Sequence, residues 1–345
     1  MSVMTVLRRG LVSAAIPVAA AVVVAGAGPL ASAQAAVGSP AHAAAPGLHK
    51  TARILLGSAG NVFSDSFTEA PNGALFYSLG STVYVVRGNS ARRVALHAGK
   101  PVIALAANAS DLFVQTGLTV TEYSRSNDVR LRHWTLTSPR TPITSAGLCA
   151  VGGTLWSWTD WATDSSGFQF AKVSRIVTSS SAVHTVATQA YPGDMAANST
   201  GLYYEGQRGS RGYLGHSTPS GVVRTRRQPA VDAPLALSGG AVDTLSFSNH
   251  VFINSYSAST LARRSSRRVS ASDRSIADTG AGLLVLTQPC ASQTCSSSTV
   301  SKLSVSHGTT SGTLRVPGAG ILLSGPSAAV IEVSRGSMFL VRMAS

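Results

Sequence analysis

Beyond residue 35 the sequence has no apolar run long enough to span a bilayer, and it shows no helical periodicity. It is also poor in charge: Asp, Glu, Lys and Arg make up 12% of 345 residues. Short motifs of known chemistry are missing. No GxSxG, Walker or GxGxxG element stands at a strand–helix junction, which leaves no nucleophile elbow or phosphate loop to build on. The 8 histidines show neither HxH nor HExxH spacing, so no metal and no cofactor is expected. Lysine occurs only at 50, 100, 172 and 302, so the positive charge is nearly all arginine. Cysteine is limited to Cys149, Cys290 and Cys295.

What is abundant is small: 33 glycines and many serines suit short strands joined by tight turns. The length admits one large all-β domain or two ordinary ones. Residues 1–35 read as a signal peptide. Arg8 and Arg9 form a basic start, Leu11 to Gly28 is small and apolar, and Ala31-Ser32-Ala33 and Ala33-Gln34-Ala35 are small-x-small cleavage sites. Pro17 and Pro29 interrupt the apolar stretch, which favours a cleaved leader over a transmembrane anchor. Arg8-Arg9-Gly10-Leu11 has a twin-arginine look, but Leu7 stands where Ser or Thr is usual, and the export route stays open. Residues 36–50 read as an Ala/Pro linker, and 51–345 as the folded domain. Cleavage would lower the formal charge of +14 by two. The Ala, Gly and Arg bias fits a bacterial source.

The domain repeats. Seven strands open at Leu75, Leu112, Leu155, Leu202, Val242, Leu283 and Ala329, spaced 37 to 47 residues apart. Six are preceded by a small-residue strand and a turn, as in LAANASD, MAANSTG and IADTGAG. Small residues fit strands crowded around a channel, and the Gly, Asn and Asp supply the turn. A repeat of this length, with three or four short strands, predicts a seven-bladed β-propeller. A pair of β-sandwiches does not require such a repeat. The seventh unit ends after its third strand, Met338–Arg342, while Thr51–Leu56 is a strand without a blade. The N-terminal strand is therefore predicted to close the last blade.

This strand order resembles secreted seven-bladed propellers of the NHL, YVTN and PQQ-like sort across residues 51–345. The chain departs from other propeller families: it has no Trp-Asp signature, no kelch double glycine followed by spaced aromatics and no Ser-x-Asp-x-Gly box. The resemblance implies the fold and leaves the family open.

Among candidate residues, Trp161 falls in an expected loop, Thr159–Gln169, with Asp160 and Asp164. A tryptophan beside carboxylates can stack on a sugar and accept its hydroxyl hydrogen bonds. The competing and favoured reading is a loop folded onto the blade edge by its own aromatic, and the two acids also admit a glycosidase reading that no second constraint supports. Arg208 and Arg211 lie in a second loop of the same kind, Gln207–Gly212. A fixed guanidinium next to an aromatic suits an anionic glycan. Trp156 and Trp158 point to one face of a strand and read as packing between blades. Cys290 and Cys295 are expected to close a small disulfide loop in an exported protein, and Cys149 to be a buried thiol. His216 or His250 could sit at the channel mouth, as in some propeller lyases.

The arginines are not scattered. Arg92, Arg93, Arg130, Arg132, Arg224, Arg226, Arg227, Arg263, Arg264, Arg267 and Arg268 all fall in predicted outermost strands. Such a rim either blocks strand-to-strand aggregation or meets an anionic polymer or lipid headgroups. Export and the lack of aromatics along these strands argue against nucleic acid. The expectation is a secreted or cell-surface, monomeric, non-enzymatic propeller, with no membrane anchor after cleavage. Its expected partner is a cell-envelope polysaccharide or other glycan, an anionic polymer, or a secreted protein. The rival is a propeller lyase or hydrolase acting at the channel mouth.

Overall fold

The computed structural model describes residues 48–344, apart from 59–66, 97, 138–142, 163–168, 209–210, 229–233, 248–249, 271, 280–281, 290–294 and 304–309. The expected leader and most of the linker lie outside the described residues. Among those described there are 27 strands and no helix; in particular, no helix is long and apolar enough to cross a membrane.

The strands form seven antiparallel blades. Blade one is β2 (Phe67–Glu69), β3 (Leu75–Leu79), β4 (Thr82–Arg87) and β5 (Ser90–Arg93). Blade two is β6 (Ala104–Ala107), β7 (Asp111–Thr116), β8 (Thr119–Ser124) and β9 (Arg130–Thr135). Blade three has β10 (Ile143–Val151), β11 (Thr154–Ala162), β12 (Gln169–Val177) and the first part of β13 (Val183–Asn198). The rest of β13 opens blade four, with β14 (Gly201–Arg208), β15 (Arg211–Ser217) and β16 (Val223–Gln228). Blade five is β17 (Leu235–Ser238), β18 (Ala241–Phe247), β19 (Val251–Ser257) and β20 (Arg263–Arg268). Blade six is β21 (Asp273–Thr279), β22 (Gly282–Thr287), β23 (Ser297–Leu303) and β24 (Thr310–Pro317). Blade seven is β25 (Ala319–Leu323), β26 (Ala328–Ser334), β27 (Ser337–Ala344) and β1 (His49–Ser58).

The expected closure is present. The N-terminal strand β1 pairs antiparallel with β27 from His49↔Ala344 to Ser58↔Ser337. Two side chains, Arg53 and Tyr77, fix it further. Arg53 reaches across to Glu332 with Nε–Oε2 at 3.1 Å and Nη2–Oε1 at 2.7 Å, and its guanidinium lies over the Phe339 ring. Tyr77 of blade one donates its hydroxyl to the Leu56 carbonyl at 2.9 Å.

Alternation along each second strand builds the core. The anchor residue packs on the preceding blade and the next residue packs on the following one. Seven buried apolar clusters result, one at each blade-to-blade contact around the ring. Leu112, for example, joins the cluster between blades one and two, and Phe113 the cluster between two and three. In blade seven the residue in the anchor role is Val330, one position after the expected Ala329. It packs with blade six, and Ile331 packs with blade one. Trp156 and Trp158 do pack between blades three and four, buried with Leu202, Tyr204 and Tyr213. Both aromatics of this contact that face a glycine need it: a Cβ on Gly147 would meet Trp158 Nε1 at 2.1 Å, and one on Gly215 would meet the Tyr204 ring at 2.3 Å.

Candidate functional site

The outermost strand of a blade has a neighbour on one side only, so its residues meet solvent. On β16 and β20 that surface is arginine. Arg224, Arg226 and Arg227 on β16, with Arg263, Arg264 and Arg268 on β20, are exposed, and Arg267 is half-buried. Neither strand, VRTRRQ or RRSSRR, contains an acid.

Of the outer-strand arginines elsewhere, Arg92 and Arg132 are tied into the ring, while Arg93 and Arg130 are exposed with no side-chain hydrogen bond or ion pair among the described residues. Arg92 lies 4.0 Å from Asp128 across the contact between blades one and two. Arg132 pairs with Glu122 at 2.8 Å and also donates to the Thr178 carbonyl of blade three. Beside it Trp134 Nε1 donates to the Ser180 carbonyl at 2.9 Å. Arg175 of blade three donates to the Pro219 carbonyl of blade four. Arg224 continues the series, donating to the Ser259 carbonyl of blade five at 3.2 Å. Each joint holds the turn before the outermost strand of the next blade. The other six arginines of β16 and β20 have no hydrogen bond or ion pair among the described residues. Burial pushes the Tyr256 phenol up, and the positive charges of Arg263 and Arg226 offset part of that rise. Residues from both blades thus share one electrostatic field.

The loops expected between second and third strands, Thr159–Gln169 and Gln207–Gly212, are shorter than the sequence implied. The β11–β12 ladder runs on through Asp160↔Ala171, Trp161↔Phe170 and Ala162↔Gln169. Asp160 is a buried strand residue, 2% exposed, rather than a loop carboxylate, and Asp164 lies outside the described residues. Arg208 and Arg211 face each other across the β14–β15 hairpin, and Arg211 is exposed. Trp161, Phe170, Ala190 and Gln207 occupy one row across four strands. Three strand spacings put Trp161 roughly 14 Å from Gln207. The two groups lie along the same edge of the sheet, on strands three apart.

His216 and His250 are not at the channel. His216 lies on β15, a third strand, buried and stacked on Tyr203 with ring centroids 4.4 Å apart. Burial lowers its pKa. His250 precedes β19, also a third strand. Cys149 is half-buried and a thiol rather than half of a disulfide. Cys295 is buried in the contact around blade seven; Cys290 lies outside the described residues.

One site carries no sequence motif. Between blades five and six lies a cleft of about 500 Å³, lined in part by Ser238, Ser255, Arg264, Asp278, Leu283 and Leu303. Asp278 is at the end of an innermost strand and Arg264 on an outermost one, so the cleft runs radially. Behind Ser238 and Ser255 lies Asp243, 0% exposed. Ser238 Oγ donates to Asp243 Oδ2 at 2.6 Å. Burial pushes both carboxyls up, Asp278 to about 6, and the charge of Asp243 adds to the rise at Asp278. The signal was present in the repeat. The residue after each anchor is Phe76, Phe113, Trp156, Tyr203, Asp243, Leu284 and Ile331. Only blade five has a polar residue there.

No family model matches the chain, and no curated protein matches it in sequence. Solved structures do resemble it. One is a chain of the Mitotic Checkpoint Complex crystal structure, with a TM-score of 0.59 and 13% identity, covering 94% of this chain and 99% of that one. Another is the Neurospora crassa Pan2 WD40 domain, with a TM-score of 0.57 and 8% identity, covering 86% and 95%. At such identities the likeness shows the fold alone. The chain is an all-β seven-bladed propeller.

Proposed function

We propose that this is an exported, non-enzymatic propeller that binds an acidic polymer of the cell envelope through the arginine rim of blades four and five. The carrying observation is the concentration of charge free of internal partners. Protection of an exposed edge needs only one or two charges, which is what β5 and β9 carry. The strands β16 and β20 carry three and four arginines. Among the described residues only Arg224 is engaged in holding blades together. Guanidinium groups pair with carboxylates and phosphates in two-point geometry, so a flexible polyanion can meet several at once. The signal-like residues 1–35 support export, and with it a secreted or surface location.

The test is retention of the mature protein on isolated cell envelope at low and moderate salt. A variant carrying Arg226→Ala, Arg227→Ala, Arg263→Ala and Arg268→Ala is expected to lose retention at least tenfold with its fold intact. Retention equal to the parent would overturn the proposal. A loss seen only with Trp161→Ala and Arg211→Ala would move the site to the edge formed by the β11–β12 and β14–β15 hairpins.

A further inference from the structure

The cleft between blades five and six lies at the one blade contact where the repeat has no apolar interlocking side chain. At six blade contacts the residue after the anchor is Phe, Trp, Tyr, Leu or Ile, and each is buried. At the fifth it is Asp243, whose carboxylate is too small to fill that space and costs free energy to bury. Asp243 Oδ2 accepts from Ser238, and Ser255 and the charge of Arg264 also act on the carboxyl, while Oδ1 is buried without a hydrogen bond of full geometry. Departures from a fold's own pattern that cost stability concentrate at functional sites.

Arg264 is placed for the same cleft by a local irregularity. The β19–β20 ladder pairs Ser255 with Ser265 and Tyr256 with Arg263, so Arg264 is the extra residue of a bulge. Bulges re-aim side chains. Blade two has the same bulge between Glu122 and Tyr123, filled by Leu131. The cleft therefore joins a guanidinium at the rim end to the half-buried Asp278 at the channel end. Serine hydroxyls and the apolar Leu283 and Leu303 lie among the walls. Its volume, about 500 Å³, falls in the range of small-ligand sites, roughly 300–1,000 Å³.

We propose that this cleft binds one acidic sugar unit, with the sugar carboxylate on Arg264, its hydroxyls on Asp278, Ser238 and Ser255, and its carbon face against Leu283 and Leu303. The choice of an acidic sugar rests on the polymer reading above; the existence of the site does not. Arg264 belongs to both the rim and the cleft, so a polymer held on the rim has a unit within reach of it.

The probes are glucuronic acid and a short uronic-acid oligosaccharide, with glucose and glycine as comparators, measured by calorimetry on the full chain. The parent is expected to bind the uronates and not the comparators. Arg264→Met is expected to weaken uronate binding at least tenfold and Asp278→Asn about fivefold. Asp243→Leu, which restores the apolar residue of the other blades, is expected to abolish binding while raising the melting temperature. Equal binding of glucose or glycine would overturn the assignment, as would parent-like uronate binding by Arg264→Met and Asp243→Leu. Uronate binding lost in Arg264→Met but kept in the Arg226, Arg227, Arg263 and Arg268 variant supports the cleft even if envelope retention proves independent of the rim. Envelope retention that depends on the rim, with no uronate bound by the parent, sinks the cleft alone.

Discussion

Single residues set two opposite dependences on pH. Burial alone would raise the Glu332 carboxyl, but the Arg53 and Ser334 hydrogen bonds and the positive charge of Arg53 outweigh it and hold the group below its usual 4.5. A depressed carboxyl stabilises the fold above its unfolded value, and that contribution disappears as pH falls through the folded value. Arg53→Met leaves Glu332 buried without its cation and is expected to cost about 2 kcal/mol at pH 7. Glu332→Gln is expected to cost about 1 kcal/mol, and both differences should shrink below pH 4 in denaturant titrations. Asp278 behaves the other way. Its carboxyl is pushed up by burial to about 6 from 3.8, so its charged form destabilises the fold above 6 and ceases to do so below 3.8. Asp278→Asn is expected to gain about 1–2 kcal/mol at pH 8, after allowance for solvent screening, and nothing at pH 3.5. A constant difference across that range would contradict the burial of this group. No sequence motif marked Asp243 and Asp278, because one Asp in a strand carries no signature. Its meaning appears only when AVDTL is laid against ALFYS, DLFVQ, TLWSW, GLYYE and GLLVL in structural register.

Among the elements, those with strong alternation and a closing turn were legible in the sequence. The second and third strands and the closure by β1 follow from spacing and from the unfinished seventh unit. Three features were not. The inner strand of blade one, Phe67–Glu69, is three residues long, too short to show a period. Strand β13 serves two blades as one 16-residue strand. It accommodates the passage by register shifts on either side of Pro192, since proline is tolerated in sheets at irregularities. The Trp161 loop was overestimated because Thr, Asp and Ser read as loop formers, although the ladder continues through Asp160. Deleting residues 1–58 removes Ile54 and Leu56 from the contact of blades seven and one. That loss is expected to lower the melting temperature by about 10 °C or more, whereas deleting residues 1–47 should leave it unchanged. In exported protein we expect Cys290 and Cys295 to be bridged and Cys149 reduced. Peptide mapping without reduction decides this, and a link to Cys149 would contradict the blade assignment.

At the scale of the whole molecule, the ring closes through seven apolar contacts, and polar contacts made by arginines of the third and outermost strands reinforce the joints from blade one to blade five. That rigidity leaves the arginines of blades four and five at fixed spacing on one edge. An array of this kind suits capture of a polyanion better than recognition of one small anion. The most direct measurement is the dissociation constant for a purified acidic envelope polymer as a function of salt, for the parent and for the Arg226, Arg227, Arg263 and Arg268 variant. By analogy with counterion release from other polyanions, log Kd for the parent should rise with log salt with a slope of about 3–4, and the variant should lose most of that slope. A parent whose affinity does not change with salt, or a variant with the parent's slope, would contradict binding through the rim.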